Sequence, residues 1–140
     1  MNLNIPYMET DNKLLNDAYR IAAGDIVGNI VYYQNGLLTE EKPCMIAGLD
    51  YNTPWTRDTA INIWNALSIL SPEVSKNPLL AVLEEEEGNI YIGGQYWDSI
   101  IWMIGAREYC RFHKDDNFYR LAFEAGRNSV HRLEEGEFDE

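Results

Sequence analysis

The chain is short of the residue types that several functions require. Of its 140 residues two are cysteine and two are histidine, and 11 Lys plus Arg face 23 Asp plus Glu. That deficit of cations, a net charge of -12, argues against nucleic acid as a partner, because Lys and Arg are what displace counterions from phosphate. Anionic membrane surfaces are disfavoured for the same reason. Cys44 and Cys110 stand far apart, with neither the density of a disulfide framework nor the paired spacing of a metal site, and read as buried thiols. Cys110 and His113 lie three apart on one expected helix, but no second ligand pair completes a set, so no metal and no cofactor is expected. His131 has no nucleophile motif beside it, and no glycine-rich loop precedes a helix in phosphate-binding form. No segment approaches the roughly 20 apolar residues of a spanning helix, and Met1 to Glu9 lack a basic region followed by an apolar run. The expectation is a soluble, cytoplasmic chain with no membrane partner, secreted if the natural N-terminus is missing.

What is present is enough apolar sequence, 46%, for a core of its own in one domain spanning residues 1–140. Leu14, Leu15, Ala18, Ile21 and Ala22 recur at helical spacing after a Thr10 or Asp11 cap, predicting a one-sided helix that ends near Gly24. Residues 25–54 are irregular, with β-branched and aromatic alternation before Asn35-Gly36 and then loop or short strands. A second helix, about Asp58 to Leu70, carries Ala60, Ile61, Ile63, Trp64, Leu67 and Ile69 around its whole axis and is expected to be buried on nearly all sides. Ser71-Pro72 ends it. A third helix runs from Glu73 to Glu86, a turn with extended flanks follows around Gly88, and a fourth helix from Trp97 to His113 is again apolar all round in its first half. The fifth, after Asp115-Asp116, sets Phe118, Leu121, Ala122 and Ala125 against Arg120, Glu124, Arg127 and Arg132.

One-sided and all-round helices tend to alternate, which is what an inner and an outer layer need. The fold expected is therefore all-α, a partial (α/α)6 toroid of antiparallel hairpins with short extended segments in its loops; a plain helical bundle is the alternative. Two loops, Trp55-Thr56-Arg57-Asp58 and Gln95-Tyr96-Trp97-Asp98, each lead into an inner helix and would open at one end. Indole faces suit the C–H faces of a sugar, and an Arg beside an Asp offers donors and acceptors for vicinal hydroxyls. Together they suggest carbohydrate. Arg57-Asp58 could equally be an ion pair with a helix cap. The acids Glu134, Glu135, Glu137, Asp139 and Glu140 would emerge on the same rim, where a carboxylic acid could protonate a glycosidic oxygen.

Trp-Thr-Arg-Asp opening one inner helix, Gln-Tyr-Trp-Asp-Ser-Ile-Ile-Trp opening another and the later acid-rich loop resemble the first half of the six-hairpin glycosidases. That group holds glucoamylases, the glucosidase part of glycogen debranching enzymes and α-L-rhamnosidases. The likeness spans roughly residues 10–140. It implies that Arg57 and Asp58 hold sugar hydroxyls, that Trp55 and Trp97 line the pocket with Gln95 and Tyr96, and that Asp98 contacts the sugar or orders the pocket. It implies a general acid among Glu134, Glu135 and Glu137. About five helices fall short of twelve, and the second carboxylate of an inverting mechanism is expected beyond Glu140. The chain is thus expected to be part of a glycoside hydrolase acting on α-glucosidic or similar glycans and inactive alone, with self-association through unclosed edges. A non-catalytic carbohydrate-binding module and a helical interaction module are the alternatives.

Overall fold

The computed structural model describes residues 5–95 and 97–137. Helix α1, Lys13–Gly28, starts where the Asn12 side chain accepts from the N–H groups of Leu14 and Leu15. It runs past Gly24, which has nothing near it. Strand β1, Ile30–Tyr33, pairs antiparallel with β2, Lys42–Met45, in a register that sets Ile30 against Met45 and Tyr32 against Pro43. Pro43 is tolerated because a two-stranded sheet has only edges, where a missing donor can face away from the ladder.

Helix α2 begins as Thr56–Asn62, widens into a π-helical turn over Ile63–Leu67 and closes with Ser68–Leu70. The Ser68 hydroxyl donates to the Ile63 carbonyl at 2.8 Å within that turn. Ser71 then caps α3, Pro72–Ala81, through the Val74 N–H, with Pro72 at a position whose missing donor costs nothing. Two groups from the loop after β1 cover the end of α3: the Leu37 N–H donates to the Leu80 carbonyl and the Asn35 side chain to that of Ala81. Gly36 lies between them at φ +56°, and a Cβ there would fall 2.5 Å from the Leu83 carbonyl oxygen.

The chain turns at Glu87-Gly88 to form a second antiparallel pair, β3, Leu83–Glu86, with β4, Asn89–Ile92. Helix α4, Asp98–Phe112, lies against α2, and α5, Asp116–Glu137, returns beside α4 while packing on β4. The core gathers at the centre of this arrangement. Trp102 on α4 is wholly buried, its ring nitrogen donates to the Leu79 carbonyl, and Phe118 of α5 packs against both Trp102 and Tyr109. Ile63, Leu67, Val74, Leu79, Leu83 and Ile92 complete it.

These observations overturn the all-α toroid. The described residues form five helices and two small antiparallel two-stranded sheets, a mixed α/β fold. Residues 83–86, expected to extend the third helix, pair instead with 89–92. Leu83 is fully buried against the core while Glu84, Glu85 and Glu86 project outward from the hairpin. The second and fourth helices also differ from expectation. Ile61, Trp64 and Ile69 are 41%, 53% and 61% exposed and Ile100 is 48% exposed, so α2 and α4 each bury one side and leave an apolar face uncovered.

Candidate functional site

The N-terminal ends of α2 and α4 lie side by side, and this adjacency brings residues 41 positions apart into contact. Both Nε and Nη2 of Arg57 donate to Oδ1 of Asp98, at 2.9 and 2.6 Å. The guanidinium carbon sits 4.3 Å from the centroid of the Trp97 ring, which stays half exposed. Arg57 thus lies between a carboxylate and an aromatic face. Asp98, at the first position of α4, is 8% exposed, and its Oδ2 accepts from the Gln95 N–H at 3.1 Å. Both oxygens of that carboxylate are engaged by the protein, so Asp98 holds Arg57 and the loop in place.

The close approach depends on Gly93-Gly94. Thr56, the first residue of α2, donates its hydroxyl to the Gly93 carbonyl at 2.7 Å and is buried. Gly94 has φ +128°, and a Cβ there would meet Asp98 Cβ at 2.9 Å and Thr56 Oγ1 at 3.0 Å. Only glycine fits a backbone that is both left-handed and pressed between two helix starts.

Trp55 precedes α2 with extended backbone and is half exposed; its ring meets that of Tyr51 edge to face, centroids 6.4 Å apart. Beside it opens a cleft of about 260 Å³ lined by Tyr33, Thr53, Thr56, Glu84 and Gly94, whose far wall is tied by Thr53 donating to the Tyr33 hydroxyl at 2.8 Å. Asp58 stands exposed in the first turn of α2, and Arg57 pairs with Asp98 instead of its neighbour. A second cleft, about 170 Å³, lies on the other side of Gly93-Gly94 between Ser99, Tyr91, Ser129, Arg132 and Leu133, so the C-terminal half of α5 reaches the same end of the molecule as the start of α4.

The acid-rich loop assumed around Glu134 is helix. α5 continues through Glu137, with Ser129 and Arg132 tying it to the β-hairpin: Ser129 accepts from the Ile92 N–H, and Arg132 pairs with Glu86 at 2.6 Å and stacks on Tyr91. Glu134 and Glu135 project to solvent, Glu134 beside His131 at 3.4 Å. Tyr96, Asp139, Glu140 and the side chain of Glu137 lie outside the described residues. Glu84, expected within the third helix, lines both clefts, and its carboxylate lies over Gly93. No local signal marks Glu84, since Leu83-Glu84-Glu85-Glu86 has no apolar–polar alternation and its strand is set by pairing with 89–92.

The two thiols are inert in character. Burial pushes Cys44 up to about 12, and burial followed by the Asp115 carboxylate raises Cys110. Among the described residues no group of three or more His, Cys, Asp or Glu could hold a metal ion, and no helix is long and apolar enough to cross a membrane. Comparison with protein-family models, with characterised proteins and with solved structures finds no match.

Proposed function

We propose that the rim formed by Trp55, Arg57, Asp58, Gln95 and Trp97 is the saccharide-binding side of a glycoside hydrolase acting on α-glucosidic or similar glycans. The observation that carries this reading is Arg57 held between the Asp98 carboxylate and the Trp97 face, with a second half-exposed indole, Trp55, at the neighbouring helix start. A guanidinium fixed by two hydrogen bonds still has N–H groups to offer hydroxyls, and exposed Asp58 adds an acceptor beside it. Flat rings with a polar group at their edge suit a pyranose, which is apolar on its faces and polar at its rim. The proton donor for hydrolysis would come from Glu134, Glu135 or Glu137. The chain of 140 residues is expected to bind without turning over substrate.

The test is a titration with maltooligosaccharides followed by tryptophan fluorescence and calorimetry, with an aryl α-glucoside assay alongside. Binding in roughly the millimolar range or tighter is expected, weakened about tenfold by Arg57→Ala and by Trp97→Ala, each removing a direct partner. Unchanged affinity in both variants would remove the saccharide reading. A helical protein-interaction module is the second reading, favoured by the uncovered Ile61, Trp64 and Ile69 on α2. It predicts indifference to every sugar tested.

A further inference from the structure

Helix α1 has an apolar stripe and no place to put it. None of its 16 residues is fully buried among the described residues, and of its apolar side chains only Ile26 packs against the core. Leu14, Leu15 and Ile21 are 79%, 49% and 66% exposed, while the adjoining side, through Tyr19, Ala23 and Ile26, is the one that faces residues 5–9 and the core. A lone helix of this length is marginal in water, so such a stripe calls for a cover.

At the α4–α5 seam the reverse holds: there is a groove with nothing in it. Two adjoining depressions of about 150 and 350 Å³ share Met103, Ala122 and Phe123 and form one continuous channel. Ala106, Tyr119 and Val130 extend its apolar floor. Phe123 and Tyr119 are 64% and 59% exposed. Gly126 lowers the floor, since a Cβ there would meet the Met103 sulfur at 2.7 Å.

The two surfaces match in length, and each holds an unpaired charge that the other can meet. From Tyr119 to Glu134 the channel follows about 22 Å of helix, and the 16 residues of α1 span about 24 Å at 1.5 Å per residue. In a chain of net charge -12, the rims of this channel carry Arg107 and Arg127 against the single acid Glu134. Arg127 makes no ion pair among the described residues, and Arg107 only a 4.0 Å approach to Glu108, which Arg111 already holds. The exposed α1 stripe carries Asp25 at its C-terminal end, which makes no ion pair among the described residues, whereas Asp17 at its border is already held by Lys13 and Arg20.

We propose that the α4–α5 groove receives α1 of a second copy of this chain. A reciprocal exchange about a two-fold axis would fill both grooves and cover both stripes, which closes the assembly. The inference does not rest on the saccharide reading: the groove shares no residue with the Arg57–Asp98 rim and meets the proposed hydrolytic set only at Glu134, at its far end.

Sedimentation equilibrium of the 140-residue chain tests it. The expected result is a mass rising from 16.2 kDa to twice that, with half-association at about 10 µM. Ile21→Asp, which spoils the helix, and Phe123→Asp, which spoils the groove, should each weaken association at least about tenfold, with circular dichroism unchanged because both side chains are largely exposed. Mixing these two variants should restore a dimer, because one contributes an intact groove and the other an intact α1. A chain that stays monomeric to about 100 µM overturns the proposal. So does association that neither variant weakens, a mixture that remains monomeric, or a monomer whose groove binds only an unrelated acidic amphipathic peptide. Should either variant alter the dichroism, Leu14→Asp and Arg127→Glu replace them.

Discussion

Asp115 shows how one carboxylate can hold three elements. Lys76 of α3 reaches its Oδ2 at 2.6 Å, the Tyr109 hydroxyl of α4 donates to that oxygen at 3.2 Å, and the Phe118 N–H at the start of α5 donates to Oδ1 at 3.0 Å. Lys76 first, and the Phe118 N–H next, hold this carboxyl below the usual carboxylate range. A folded value below the unfolded one means that the native state binds the proton less readily. The stabilisation is therefore fully present above the unfolded carboxylate value, about 3.9, and is lost as pH falls through the lower folded value. Thermal melts between pH 6 and 2 should show Tm falling on the acid side, with a shallower fall in Asp115→Asn. That variant should cost about 1–2 kcal/mol at neutral pH through the cap and the Lys76 bond together. Equal slopes in the two proteins would assign the acid sensitivity elsewhere. Arg57 obeys a different logic, because its partner Asp98 is the more buried of the pair. Arg57→Lys keeps the charge but not the two donors on Oδ1 or the flat contact with Trp97, and should bind saccharide no better than Arg57→Ala.

Between elements, the contact that sets the rim is the crossing of α2 and α4. Gly105 makes it close: a Cβ there would fall 2.7 Å from Ala60 Cα and 3.0 Å from its carbonyl oxygen, both backbone and unable to step aside. Gly105→Leu should destabilise the chain by about 1–3 kcal/mol or more, as overpacking does, and loosen the Arg57–Asp98 contact at the upper end of the same two helices. A denaturant midpoint unchanged from the parent would show that the helices can slide apart at no cost. The sequence exposed this level only in part. Helices α2, α4 and α5 were legible because their apolar spacing, the Ser71-Pro72 stop and the Asp115 cap are local signals. The tail of the third helix was misread because Val82, Leu83 and a run of glutamates fit helical propensity, whereas the pairing of Leu83 with Ile92 across Gly88 is a tertiary fact. Likewise the adjacency of Trp55-Thr56-Arg57 and Trp97-Asp98 could be inferred from two similar helix starts, but the Arg57–Asp98 pairing could not. Sequence proximity favoured Asp58 as the partner of Arg57, and the packing of α2 on α4 supplied a better one.

At the scale of the whole molecule, two electrostatic effects act on association in opposite directions. The rims of the α4–α5 groove carry Arg107 and Arg127 and the α1 stripe carries the unpaired Asp25, which orients the contact. Each copy nevertheless carries -12, and two such bodies repel at long range. The local term involves a few exposed side chains, worth at most about 1 kcal/mol per pair in water. The repulsive term involves the full charge of both copies and acts out to the screening length, about 30 Å in 0.01 M salt and about 10 Å in 0.1 M. The repulsion should therefore dominate the salt dependence, and raising sodium chloride from about 0.01 to 0.3 M should tighten self-association while apolar burial in the groove stays nearly constant. Sedimentation at several salt concentrations reads this directly. Weakening with salt would mean that the Arg107 and Arg127 rims contribute more to the seam than the apolar stripe does, and the effect of Arg127→Glu would then exceed that of Phe123→Asp.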